Sequence, residues 1–163
     1  MISNLSYRKG SESDIPIIYK LAYETWNEHY IEIITQQQID YMLHLMYSEE
    51  SLIKQLAEGH CFYLLVNNGI EVGFMSIIPG ENLFLNKFYI LKNQRNIGAG
   101  QWFFKAIFSL PNFINKEIRL YVNRKNFKSI NFYFKMGFVI EKVVDQNIGN
   151  NFYMNDYIML KKP

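Results

Sequence analysis

A permanent cation followed by closely spaced glycines at the mouth of a helix can hold an anion. The segment Lys92-Asn93-Gln94-Arg95-Asn96-Ile97-Gly98-Ala99-Gly100-Gln101 has that form, and it lies between a strand-like run and an amphipathic run. The first turn of a helix carries N–H groups without intrahelical partners and about half a positive charge. Glycine lacks the Cβ that would keep an anion away from those groups. Arg95 adds forked donors that stay charged. The arrangement suits a pyrophosphate. It is not a Walker loop, which would end Gly-Lys-Ser/Thr where this chain has Gly100-Gln101-Trp102. Nor is it a dinucleotide fingerprint, because Phe103 stands where a third small residue is needed. Two glycines before a helix also occur as a plain turn, so the loop alone decides nothing.

A second segment lies downstream. A strand-like run, Glu117–Val122, leads through a polar turn to Asn126-Phe127-Lys128-Ser129 and a helix ending Phe132-Tyr133-Phe134-Lys135-Met136-Gly137-Phe138. With these two segments in this order, the chain resembles the GNAT superfamily of N-acetyltransferases. Arg95-x-x-Gly98-x-Gly100 is similar to that family's Gln/Arg-x-x-Gly-x-Gly pyrophosphate motif. Asn126 to Phe138 is similar to its Asn-x-x-Ser/Ala-x-x-Phe-Tyr-x-Lys-x-Gly-Phe helix. The order of elements extends the resemblance over nearly the whole chain. The N-terminal helices and the final strand look most like the branch that acetylates polyamines or peptides.

The resemblance implies an enzyme that moves an acetyl group from acetyl-CoA, its cosubstrate, to a small-molecule or peptide amine by direct attack in a ternary complex. It implies roles as well. Phe88, Tyr89 and Ile90 would lie along the pantetheine arm, the strand backbone pairing with it. The backbone N–H groups of Asn96, Ile97, Gly98, Ala99, Gly100 and Gln101 would take the pyrophosphate beside Arg95. Asn126 would hydrogen-bond the pantetheine arm, and Lys135 would lie near the phosphate or adenosine end. Tyr133 would sit by the thioester sulfur as general acid.

An acceptor amine of pKa ~10.4 is mostly protonated at neutral pH, so a base or a water chain is wanted. Many family members place a Glu on the strand before the loop, whereas this chain has Asn86-Lys87 there. Glu28, Glu32 and His60 remain candidates and the base is unassigned. Two alternatives stay open: a catalytically silent acyl-CoA-binding module, and a protein-modifying acetyltransferase.

Other residues have a functional and a structural reading. Glu24, Glu28 and Glu32 would form an acidic stripe toward a cationic amine if one helix carried all three. They equally suit a solvated face, with Lys20 pairing Glu24. Trp26, Tyr30, Tyr41 and Tyr47 would wall a groove or fill a core. Cys61, the single cysteine, reads as a small buried hydrophobe and implies a reducing compartment. His29, His44, His60 and Cys61 have no zinc spacing, so no metal is expected. A net charge of +2 argues against a nucleic-acid partner. Apolar runs are too short to cross a bilayer, and the N-terminus lacks a basic head and apolar stretch, which predicts a cytoplasmic protein without a membrane partner.

These residues need a scaffold. The 163-residue length suits a single N-acetyltransferase domain over 1–163 with a full hydrophobic core. Strands are predicted at Leu5–Lys9, Cys61–Val66, Glu71–Ile78, Leu83–Leu91, Glu117–Val122, Phe138–Val144 and Tyr153–Leu160. In the third run after the N-terminal helices, Leu83, Leu85, Lys87 and Tyr89 should alternate with Phe84, Asn86, Phe88 and Ile90. Asn67-Asn68-Gly69 reads as a tight hairpin turn. Helices are predicted from Ser13 or Asp14 to about Tyr30, from Thr35, over Ser48–Glu58, from Gly98 and over Phe127–Met136, the last closed by Gly137. Asp145–Asn151 should link the last two strands. The fold class is α/β: a mixed, mostly antiparallel twisted sheet flanked by helices, as in GNAT proteins, with a V-shaped opening between Leu83–Ile90 and Glu117–Val122. Its aromatic C-terminal strands would support a homodimer.

Overall fold

The computed structural model describes residues 4–163. The chain runs β1 (Leu5–Lys9), α1 (Ile15–His29), α2 (Gln36–Tyr47), α3 (Glu49–Ala57), β2 (Cys61–Asn67), β3 (Ile70–Ile78), β4 (Leu83–Ile90), α4 (Ala99–Phe108), β5 (Ile118–Asn123), α5 (Phe127–Lys135), β6 (Val139–Gly149) and β7 (Phe152–Lys161). Local chemistry sets several helix ends. Thr35 accepts from Gln38 N–H ahead of α2, and Ser48 accepts from Ser51 N–H ahead of α3. Pro16 sits in the first turn of α1, where a missing N–H costs nothing. That helix stops at His29, and Tyr30–Glu32 forms a separate 3-10 turn.

Seven strands form one sheet in the order β1-β2-β3-β4-β5-β7-β6. All neighbours are antiparallel except β4 and β5. Those two pair only at Leu83↔Ile118 and Phe84↔Arg119 and then part. This is the predicted V-shaped opening. Two cores lie on opposite faces of the sheet. One packs α4 and α5 through Phe103, Phe104, Ile107, Ile130 and Tyr133. The other packs α1, α2 and α3 through Ile18, Leu21, Trp26, Met42, Tyr47 and Leu52.

Two features differ from expectation. The alternation predicted for β4 is broken. Ser76 pairs Lys87 but Ile77 pairs Leu85, so Asn86 is a bulge. One extra residue resets the faces. Leu83, Leu85, Phe88 and Ile90 all belong to the α4–α5 core, while Tyr89 packs into the other. The predicted link Asp145–Asn151 is also mostly strand. Asp145, Gln146 and Asn147 pair with Asn155, Met154 and Tyr153, and the turn is Asn150-Asn151, both with positive φ. Polar residues suggested a loop, but β6 is an outer strand with almost every residue exposed, where polarity costs nothing. The tip of this β6–β7 arm leans on α2. The Tyr41 hydroxyl donates to the Ile148 carbonyl at 2.8 Å, and Gln38 Nε2 donates to the Tyr153 carbonyl at 3.0 Å.

Candidate active site

The splayed strands leave a cleft of about 900 Å³ whose walls come from α1, α2, β4, β5, α4, α5 and β7. At one end lies the glycine loop. Gly98 is the N-cap of α4 with φ 83°, a left-handed conformation that costs glycine nothing. Gly98 O accepts from Trp102 N–H at 3.0 Å, which closes the first helical turn. The N–H groups of Ala99, Gly100 and Gln101 precede that bond and have no helical acceptor. A Cβ on Gly100 would stand 3.4 Å from Phe132 and 3.5 Å from Ile90, in ordinary contact, so the helix start packs beside α5 and β4. Asn96, Gly98, Gly100 and Gln101 line the cleft. The Ile97 side chain is exposed and Ala99 is buried in the core, so those two can contribute only backbone there.

Arg95 lines the cleft but is also braced. Its Nε donates to the Ile90 carbonyl at 2.8 Å, and its Nη2 lies 3.4 Å from Glu28 Oε2. Lys92 Nζ lies 3.5 Å from Glu28 Oε1. Glu28 therefore ties α1 to the loop. Glu24 faces Lys20 at 4.0 Å, and Glu32 falls beyond the end of α1. The three glutamates do not make one free acidic stripe. Lys128 and Lys135 add positive charge to the cleft walls, and Phe88, Tyr89 and Ile90 line it from β4.

Asn126 is buried at the start of α5. Its Oδ1 accepts Ser129 N–H at 3.2 Å and lies 3.0 Å from His29 Nε2. An oxygen held by a backbone donor can only accept again, so His29 Nε2 carries the proton and Nδ1 keeps its lone pair. Burial keeps the imidazole pKa below its ordinary value, partly offset by the Asn126 bond, and nearby Arg95 and Lys128 push the same way as burial. Asn126 Nδ2 also reaches the Tyr30 hydroxyl, which leaves one of its two hydrogens for a ligand. Tyr133, on the next turns of α5, is buried, and that burial raises its phenol pKa, so the group stays protonated. A protonated hydroxyl lining the cleft can donate to a leaving thiolate.

Sequence reasoning missed Asp156. It lies on β7 opposite Asn123 of β5, just where β4 has pulled away, and it lines the cleft at 3 % exposure. Burial pushes its carboxyl up to about 6, with Arg124 opposing and Asp145 adding to the rise. The available signal was a lone carboxylate between Met154 and Ile158 on one face of a strand. His60 immediately precedes β2 and does not line the cleft; its Nδ1 is 3.5 Å from Asn86 Nδ2. Cys61 lies in a separate hollow with Lys9 and Lys116. Trp26, Tyr30 and Tyr47 wall the cleft while packing in the core, so both readings of those aromatics hold; Tyr41 supports the arm instead. Among the described residues no group of three or more His, Cys, Asp or Glu could hold a metal ion, and no helix is long and apolar enough to cross a membrane.

Residues 30–156 match the family model described as an acetyltransferase (GNAT) domain. The chain is 24 % identical over 169 aligned positions to the spermidine N(1)-acetyltransferase of Thermoplasma acidophilum, covering 98 % of each. It is similar to the crystal structure of the PaiA N-acetyltransferase of the same organism in complex with coenzyme A, at TM-score 0.77 and 25 % identity over 98 % of this chain and 99 % of that one. A GCN5-related N-acetyltransferase from Rhodopseudomonas palustris shares the fold at TM-score 0.83 and 15 % identity, over 100 % of this chain and 98 % of that one.

Proposed function

The chain belongs to the GNAT acetyltransferase family, and from that premise we propose that it transfers an acetyl group from acetyl-CoA to a small cationic amine by direct attack within a ternary complex. The observation that carries this reading is the left-handed Gly98 cap, which opens α4 into the wedge between β4 and β5. The free N–H groups of that turn suit a pyrophosphate, and Arg95, Lys128 and Lys135 supply its countercharge. Acetyl-CoA brings an activated thioester; the residues of the chain hold it, orient the amine and move protons. Beyond Phe84, β4 has no partner strand on its β5 side, and its backbone there is free to pair with the pantetheine arm. Asn126 Nδ2 can donate to the same arm. Tyr133 gives its proton to the departing sulfur. No covalent enzyme intermediate is needed, because Cys61 lies outside the cleft.

The spermidine acetyltransferase relative favours a polyamine-like acceptor over a peptide. Thiol release from acetyl-CoA, followed over a panel of polyamines, monoamines and peptides, tests the reading. Turnover on amines with acetylated product by mass spectrometry is expected. Acetyl-CoA binding without turnover on any acceptor would leave an acyl-CoA-binding module, and turnover confined to peptides would make the chain a protein-modifying enzyme.

A further inference from the structure

We infer that Asp156 is the receptor for the acceptor's ammonium group and takes the proton that must leave before the nitrogen can attack. This rests on the acetyl-transfer reading above. Three observations support it. The carboxylate is buried yet lines the cleft, on the β7 side of the gap. No ion pair or side-chain hydrogen bond among the described residues reaches it: Arg124, just past β5, whose charge acts on it, is committed to Asp145 of β6. Its surroundings suit a cation with an apolar stem, with Tyr30 nearby after α1, Met154 on its own strand and Trp26 on α1 lining the same space. The charged or titratable groups facing Asp156 are thus Arg124, Asp145 and Tyr30. A buried carboxylate without a countercharge is costly, and an incoming ammonium supplies that countercharge. An uncharged acceptor would leave it unmatched.

Protons and bonds balance. The ammonium gives one proton to Asp156, and the freed nitrogen lone pair forms the C–N bond to the acetyl carbon. The C–S bond breaks, and the sulfur takes the Tyr133 proton. The second proton lost by the nitrogen returns Tyr133 to its phenol, and the Asp156 proton leaves to solvent. A carboxyl titrating near 6 is ionised at neutral pH and ready to accept.

The test compares wild type with Asp156→Asn on spermidine and on an arylamine, which is uncharged at neutral pH. For spermidine kcat/KM should fall about 100-fold in the variant, within the range for a lost acid–base group. The arylamine value should change less than about threefold, and acetyl-CoA affinity should hold within about twofold. In wild type the spermidine profile should lose activity as pH falls through about 6, and the variant should lack that limb. Equal losses on both amines, or no loss on either, would overturn the assignment. Calorimetric titration of spermidine onto the CoA-loaded protein at pH 8 reads the same site without turnover. If wild type acetylates nothing, the transfer reading fails, while spermidine binding lost in Asp156→Asn still upholds the receptor and retained binding rejects it.

Discussion

Two buried charges of opposite sign sit on the α1–α3 side of the sheet, and they are treated differently. Lys87 lies on β4 beneath α3 at 5 % exposure. Its Nζ donates to Gln55 Oε1 at 2.6 Å and stands 5.3 Å from the centre of the Tyr47 ring. Burial lowers its pKa to about 7. Asp156 is equally buried but has no side-chain partner among the described residues and opens onto the cleft. A buried charge that the protein satisfies from its own side chains is a packing element. A buried charge left open to a cavity is prepared for something that arrives. Asp14, the remaining buried charge among the described residues, is of the first kind, fixed by Arg8 at 2.7 Å.

The largest expected effect bears on the cleft side of this contrast. Tyr133→Phe should lower turnover by about 100-fold with the chemical step limiting, while acetyl-CoA affinity stays within about twofold. Unchanged turnover would remove Tyr133 from the chemistry. Next, Lys87→Met should stabilise the fold by on the order of 2 kcal/mol at pH 6, once the stranded Gln55 amide is counted. The folded-state pKa lies below the unfolded one, so stability is lost as pH falls from about 10 toward 7 and is level below. Denaturant midpoints of variant and wild type should therefore draw together as pH rises above about 7 and cross before about pH 10, where little of the lysine's burial cost remains and the variant still strands the Gln55 amide. A large loss of activity in this variant, with acetyl-CoA binding intact, would break the contrast.

A smaller effect should separate the acid from the lysine. The Asp156 folded pKa lies above its unfolded value, so the native state binds the proton more readily. Its contribution to stability falls as pH rises from about 4 to 6 and stays low above that. Asp156→Asn should thus stabilise the fold at pH 8 by on the order of 1.5 kcal/mol, read as a higher melting temperature, and leave it nearly unchanged at pH 4. The same substitution costs activity, so stability and function would oppose each other at this one position. The smallest effect concerns the glycine loop. Arg95→Gln should weaken acetyl-CoA binding about fivefold, close to 1 kcal/mol, with kcat unaltered. Calorimetry on the folded variant measures it.

Much of this was legible in sequence because it is local. The Asn68-Gly69 turn, the Thr35 and Ser48 caps, the Arg95-x-x-Gly98-x-Gly100 loop and the Asn126 to Phe138 helix are all written in adjacent residues. The β4–β5 gap was implied by the family resemblance and not by any single residue. What was not legible depends on partners far along the chain. The Asn86 bulge exists because β3 and β4 pair out of step, and no property of Asn86 announces it. Alternation put Lys87 on one face with Leu83 and Leu85, and the bulge turns it instead toward α3, which covers it. Asp156 reads as a surface carboxylate until β5 and the Tyr30 turn enclose it. The three glutamates looked equivalent by spacing, but Lys92 and Arg95 approach Glu28 alone from another element, while Lys20 lies near Glu24.

The contact between the β6–β7 arm and α2 has one further consequence. Gly149 has φ 93°, and a Cβ there would lie 2.7 Å from the Tyr41 hydroxyl. A single methyl group would both strain the backbone and dislodge the phenol that props the arm. The arm behaves as a cantilever, fixed along β7 and resting at its free tip on α2. Because Met154 and Asp156 ride on that beam and Met42 and Met46 on its support, the width of the cleft at that end is set from a turn outside its lining.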